Sequence, residues 1–237
     1  MKQTILYVLL FCAIALNASN IDSDTKIPII SHIASPKNIH FYLKNPKGVY
    51  FQNFNKLHNH LSAQNMHLDF AMNGGMYLKD LSPQGLYIEN GKQIKSINRI
   101  QKAYGNFYMQ PNGIFYITKD YKAHVVATKD FNNSSIINYA TQSGPMLLIN
   151  GKIHHQFIPN STHLHIRNGV GILPSGNLLF AISKQKISFY AFATFFKKHG
   201  CKNALYLDGF VSRIYLPKKR ITDQDGLFGI IIAETSK

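Results

Sequence analysis

The chain has 237 residues, with 26 Lys and Arg against 11 Asp and Glu, a formal net charge of +15, and two cysteines. That length suits one sizeable core, and no Pro/Ser-rich linker or break in composition divides it, which argues against two independent domains. The charge implies an anionic partner, anionic surroundings or simple solubility. The lack of an arginine-rich run, a zinc-finger spacing or an aromatic RNA-binding signature argues against specific nucleic-acid recognition.

Residues 1–18 combine a positive start at Lys2, an apolar stretch from Ile5 to Leu16 and small residues near Ala18 and Ser19. They read as a secretory signal, and their apolar stretch is too short to span a bilayer comfortably. Phe11 stands before Cys12, where a lipoprotein signal wants a small residue. The expectation is a single domain over 19–237, periplasmic or secreted, with no transmembrane anchor after processing. Cleavage near Ala18 removes Cys12, so Cys201 is left without an internal disulfide partner and reads as a buried small hydrophobe.

Along the remaining chain, short apolar runs alternate with Asn, Gly, Pro and Ser punctuation. In 53–65, Phe54, Leu57 and Leu61 fall on one helical stripe. Turn signals at 45–48, 89–92, 110–113, 149–152 and 174–177 are flanked by the runs "GLYI", "IFYIT", "PMLLI" and "LLFAIS", which predict several hairpins. At 188–200, Ser188 can cap a helix with an apolar face from Phe189 to Phe196, stopped by Lys197, Lys198 and Gly200. "NALYL" then re-enters as a strand and delivers Asp208 to its end. The pattern predicts an α+β fold: a β-rich single domain with a mixed, largely antiparallel sheet and at least two packed helices.

Four stretches share one grammar, a buried run ending in small residues that carry one or two polar side chains. They are "FAMNGGMY" with Asn73, Gly74 and Gly75; "ATQSGPMLL" with Gln142, Ser143 and Gly144; "HLHIRNGVGI" with Arg167; and "NALYLDGFVS" with Asp208. Singly, each of the first three is more often a structural turn than a site, and Asp208 is as consistent with a cap as with a catalyst. Together they point to strand ends meeting at one polar hollow. A carboxylate placed at such an end needs partners that offset its desolvation, and a cap on its own turn is the competing use of Asp208.

These motifs, with "SPQGLYIENG" and "LPSGNLLFAIS" between them, resemble in order the phosphodiester glycosidase domain of the mannose-6-phosphate uncovering enzyme and its small bacterial relatives, over about residues 65–232. One departure stands out. The family commonly shows Asp-Gly-Gly-x-Ser where this chain has Asp208-Gly209-Phe210-Val211-Ser212.

The resemblance implies glycosidic cleavage of a sugar-1-phosphodiester, with an anionic glycan or sugar phosphate as substrate. A phosphate is already a stable leaving anion, so the second carboxylate of ordinary glycosidases becomes less necessary and a cation more useful. Asp208 would act as nucleophile or as base for water, and Arg167 would clamp the phosphate in a planar bidentate contact. Asn73 and Gln142 would read the sugar. Amides near Gly74, Gly75 and Gly144 would bind developing charge, with Ser143 and Ser212 completing the set. Glu89 is the one spare acid inside a family motif. A catalytically silent module binding anionic envelope glycans is the alternative reading.

His163 and His165 share one face of an extended segment, a spacing able to ligate a metal, but no nearby Cys or acid supplies a third ligand. No metal site is assigned to them. Whether a divalent ion held by Asp208, Asn73 and carbonyl oxygens takes part is left open, and the cofactor is unknown.

Overall fold

The computed structural model describes residues 29–208 and 211–237. The expected signal, residues 1–18 with Cys12, lies outside them, as do Gly209 and Phe210 of the Asp208 turn.

The chain opens with β1 (Ile29–Ala34) and β2 (Ile39–Tyr42), then α1 (Phe54–Ser62). Asn53 caps α1 by accepting from Lys56 N, and the stripe read from sequence, Phe54, Leu57 and Leu61, is the buried face. Next come β3 (His67–Asn73), β4 (Tyr87–Glu89), β5 (Lys92–Lys95), β6 (Gly113–Thr118), β7 (Ala123–Ala127), β8 (Ile137–Ser143), β9 (Met146–Ile149) and β10 (Lys152–Ile153). They are followed by β11 (Asn168–Ile172), β12 (Leu178–Ser183), α2 (Phe189–Lys198), β13 (Ala204–Tyr206), β14 (Ile214–Leu216), β15 (Ile221–Thr222) and β16 (Ile231–Ser236). Ser188 caps α2, as its position predicted.

Three of the five turn signals close hairpins between named strands. Asn90-Gly91 and Asn150-Gly151 take φ of 51° and 75°, and of 50° and 79°, the left-handed pairs that match strand twist. Residues 174–177 join β11 to β12. Residues 45–48 form a smaller turn, bridged between Lys44 and Tyr50. The 110–113 signal closes no hairpin. It leads from a 3-10 turn (Asn106–Tyr108) into β6, and the Asn112 side chain donates to Phe107 O at 2.8 Å.

The strands form three sheets, in the orders β1-β12-β11-β13-β9-β10, β15-β14-β3-β16-β2 and β5-β4-β8-β6-β7. Pairing between named strands is antiparallel throughout. The three sheets share one interior: Phe41 and Phe70 from the second meet Phe115 and Tyr139 from the third and Phe180 from the first. Ring centroids lie 5.0 Å apart for Phe70–Phe180 and 5.6 Å for Phe41–Phe115. Each such buried ring contributes about 1.5–3 kcal/mol, and closure of the three sheets on this cluster fixes where their strand ends meet.

The helix α2 covers the first sheet with Phe192 and Phe196. The two spaced glycines of "RNGVG" are its seat. A Cβ on Gly171 would stand 2.7 Å from the Phe196 ring, and one on Gly169 would stand 2.8 Å from Leu205 O. Among the described residues no helix is long and apolar enough to cross a membrane.

Candidate active site

Ends of strands from all three sheets converge on Asp208. Its Oδ2 accepts from Asn73 Nδ2 at 3.0 Å, and its backbone N donates to Asn168 Oδ1 at 2.9 Å. Asn168 Nδ2 in turn donates to Asn73 O and Asn73 Oδ1 at 3.0 and 3.1 Å, and Arg213 N also donates to Asn73 Oδ1 at 2.9 Å. Asn73, Asn168 and Asp208 are all buried. The amides therefore have fixed orientations, and Asn73 presents an N–H to the carboxylate because its oxygen already accepts twice. Asn73 acts on Asp208. Its oxygen is not left over for a sugar hydroxyl, as the sequence reading had it.

Gln142 lies close by but its amide is consumed by the protein. Oε1 accepts from Leu86 N at 3.0 Å and Asn98 N at 2.8 Å, while Nε2 donates to Asn98 O at 2.6 Å and Thr128 Oγ1 at 3.2 Å. All four bonding positions of the amide are used, so the side chain pins residues 84–98 to β8 and has nothing left to read a sugar with. Ser143 Oγ donates to Leu207 O, tying the end of β8 to the residue before Asp208. Ser212 Oγ donates to Asp208 O at 2.9 Å and closes the turn from the other side.

The glycines expected to offer amides serve close packing. A Cβ on Gly75 would come 2.3 Å from Thr141 Oγ1 and 2.7 Å from Gln142 O, and one on Gly144 would come 2.6 Å from Asn112 Cβ. Gly74 N is bound to Ile230 O at 2.8 Å, and its missing side chain makes room for Ile230 Cγ2 at 2.6 Å.

Asp208 lines a cavity of about 630 Å³ with Tyr77, Lys79, Asn106, His165 and Tyr206 among its other walls. Asn106 and His165 also line a second cavity, of about 590 Å³, which Arg167 borders. The two hollows thus adjoin along one seam, with the acid on one side and the guanidinium on the other.

Arg167 is held rigidly. Nε donates to Ile187 O at 2.8 Å and Nη2 to His163 O at 3.0 Å, and the guanidinium lies 3.5 Å above the Phe189 ring. The Nε–Nη2 edge, one of the two guanidinium edges able to make planar bidentate contacts, is spent on carbonyls. That leaves the Nη1–Nη2 edge for the expected clamp. Nη1 is buried and has no hydrogen-bond partner among the described residues, and the Tyr206 phenol stands near enough to act on the cation. Burial lowers the Arg167 pKa from its ordinary value, with Tyr206 opposing, and the group still carries its charge.

Burial pushes the Tyr206 phenol well up; Arg167 opposes that shift and Asp208 reinforces it. Tyr77 is raised by burial and then by the Asp208 charge, and its hydroxyl donates to Leu227 O at 2.7 Å. Both phenols stay protonated beside the carboxylate. His165 is pushed below the usual histidine range by desolvation and by Arg167, Lys186 and His163. Cationic charge gathered at this seam favours an anion there.

Glu89 stands elsewhere. On β4 it accepts from the Tyr87 hydroxyl at 2.5 Å, its pKa is raised by burial, and it borders neither cavity. Among the described residues no group of three His, Cys, Asp or Glu side chains is placed to hold a metal ion.

Sequence reading missed Asn168, Tyr206 and Tyr77. Asn168 directly follows Arg167 in "RNG", and its polar side chain at the start of an otherwise apolar strand was the available signal. Tyr206 lies two residues before Asp208, on the same face of its strand, and was hidden in an apolar run.

Comparison with known proteins agrees with this architecture. A family model described as phosphodiester glycosidase matches residues 66–223. The uncharacterized protein YigE of Escherichia coli strain K12 is 37% identical over 197 residues, covering 82% of this chain and 76% of that protein. The zebrafish N-acetylglucosamine-1-phosphodiester alpha-N-acetylglucosaminidase catalytic domain, auto-inhibited by its pro-peptide, superposes with a TM-score of 0.60 at 16% identity, over 91% of this chain and 85% of that one. A putative exported protein of Burkholderia pseudomallei K96243 gives a TM-score of 0.56 at 10% identity, over 86% and 73% of the two chains. With the matched model spanning most of the described residues and the family's motifs meeting around Asp208, the chain belongs to the phosphodiester glycosidase family.

Proposed function

We propose that this protein is an exported hydrolase that cleaves the bond between a sugar's anomeric carbon and phosphate in cell-envelope or exopolysaccharide phosphodiesters. The observation that carries this reading is the seam. A buried carboxylate oriented by Asn73 faces one cavity, and a fixed guanidinium borders the adjoining one.

A sugar seated in the Asp208 cavity places its anomeric carbon at the carboxylate, with the phosphate toward Asn106 and His165. As the glycosidic C–O bond breaks, positive charge grows at the anomeric carbon and negative charge on the departing phosphate. Asp208 stabilises the first, as nucleophile or as base for water. The buried charge of Arg167 and the buried Tyr206 hydroxyl favour the second from fixed positions, where low dielectric strengthens each interaction, and the exposed His165 imidazole stands at the seam. The phosphate leaves as an anion and needs no strong general acid. This is consistent with Asp208 being the only carboxylate among the described residues lining either cavity.

The test is turnover of a sugar-1-phosphodiester by three proteins. Asp208→Asn is expected to lose about 10³-fold or more in kcat while still retaining ligand, and Glu89→Gln is expected to match the parent. Unchanged turnover in Asp208→Asn sinks the reading.

A further inference from the structure

Four large apolar side chains are exposed in the walls of the two cavities. Leu78 (43%) and Leu227 (54%) stand on the Asp208 side, and Tyr104 (101%) and Ile158 (67%) on the Arg167 side. Exposed hydrophobics scattered singly are ordinary, whereas a group of them about one cleft marks an interaction site. Glycan recognition does not account for it. Sugar rings lie on aromatic faces and are held by hydrogen bonds at their edges, and three of these four residues are aliphatic.

Cations accompany the apolar rim. Lys79 borders the Asp208 cavity, and Lys186 acts on His165 at the seam. Of the neighbouring acids, Asp225 pairs with Arg213 at 2.7 Å, while Asp80 keeps its charge next to Lys79, with Ser82 N and Oγ donating to it. An aliphatic rim accompanied by Lys79 and Lys186, on a chain of net charge +15, is complementary to hydrocarbon lying beneath anionic headgroups.

We infer that the mouth of the double cavity docks on an anionic lipid surface, with Leu78, Ile158 and Leu227 entering the headgroup boundary and Lys79 and Lys186 meeting lipid phosphates. This goes beyond the proposed hydrolysis and holds whether or not the bond is cleaved. Docked this way, both cavities open toward the membrane, so a phosphodiester carried by a lipid reaches Asp208 without leaving its bilayer.

The experiment is co-sedimentation of the full chain with vesicles of phosphatidylglycerol and phosphatidylethanolamine, and with vesicles of phosphatidylcholine alone. Wild type is expected to partition onto the anionic vesicles and to be released by salt. The rim variant Leu78→Ser/Ile158→Ser/Leu227→Ser is expected to bind on the order of tenfold more weakly, reflecting lost apolar insertion. Lys79→Glu/Lys186→Glu is expected to weaken binding independently. A control removing equal apolar exposure away from the cavities, Ile33→Ser/Val49→Ser/Ile136→Ser, is expected to match wild type. Circular dichroism of each variant confirms folding. No preference for anionic vesicles, equal loss in rim and control variants, or full binding by the rim variant, which would assign it to residues 1–18, each overturns the inference. The readout needs no turnover, so its failure is separate from failure of the hydrolase reading.

Discussion

Asn73 and Asp208 lie 135 residues apart in the chain, yet one side-chain N–H of the first meets one carboxylate oxygen of the second at 3.0 Å inside the protein. Because Asn73 Oδ1 is occupied by Asn168 and Arg213, that N–H cannot swing away. Replacing Asn73 with Ala removes a donor that favours the ionised acid. In a turnover assay the variant is expected to lose about 10–100-fold in kcat with little change in KM. A role confined to folding would lower the active fraction and leave kcat per active molecule unchanged.

Gln142 gives the opposite signature. Its replacement by Leu strands the buried amide of Leu86 and the half-buried amide of Asn98, both of which donate to Oε1 in the parent. The cost is about 2–4 kcal/mol, which for a chain of this size lowers the thermal midpoint by on the order of 10 °C. Calorimetry is expected to show that drop while KM of the folded fraction holds. A raised KM at unchanged stability would restore Gln142 to the sugar.

The contrast between these two residues shows what was legible. Helical stripes at Phe54, Leu57 and Leu61, the Ser188 cap and the Asn-Gly corners are local signals, and they translate directly into elements. The meeting of Asn73 with Asp208, and the place of Arg167 on the adjoining cavity, followed the shared grammar of apolar runs ending in small residues, whereas Gln142 lines neither cavity. What each polar group does on arrival was not legible. That depends on which partner reaches it first: Gln142 meets backbone from residues 86 and 98, Arg167 meets the carbonyls of Ile187 and His163, and Asn73 meets the acid itself. The glycines misled for the same reason. Gly75 and Gly144 read as amides open to a ligand, whereas a neighbouring strand or turn occupies the space a side chain would need.

Arg167 combines both behaviours and can be dissected by substitution. Lys keeps a charge but cannot satisfy the Ile187 and His163 carbonyls together or lie flat on Phe189. Arg167→Lys is therefore expected to lose stability by about 1–3 kcal/mol. Arg167→Met is expected to lose that and also about 10²-fold or more in kcat/KM, because the fixed positive charge is gone. Denaturant midpoints and kinetics on the same preparations separate the two losses. Equal kcat/KM for Lys and Met variants would show that the charge contributes nothing to turnover.

His154 connects the floor beneath Arg167 to pH. Its ring stacks on Phe157 at 4.7 Å, Phe157 stacks on Phe189 at 4.8 Å, and Phe189 carries the guanidinium. Nδ1 accepts from Gln156 N at 3.2 Å, so the neutral ring holds its proton on the buried Nε2. Desolvation, followed by the nearby His155, pushes its pKa down from the ordinary 6.5 to about 4. The unfolded chain therefore binds this proton more readily than the native state between those values. Stability is fully present above about pH 6.5 and falls as pH drops toward about 4, by at most about 3 kcal/mol from this residue. Carboxylates held low by partners, such as Glu234 beside His32, lose stability over the acidic range as well, so the parent slope alone does not isolate the histidine. The difference from His154→Phe does. Urea midpoints at pH 7 and pH 4.5 are expected to fall less in that variant, by about 2 kcal/mol, and parallel pH dependence in both proteins would remove His154 as the source.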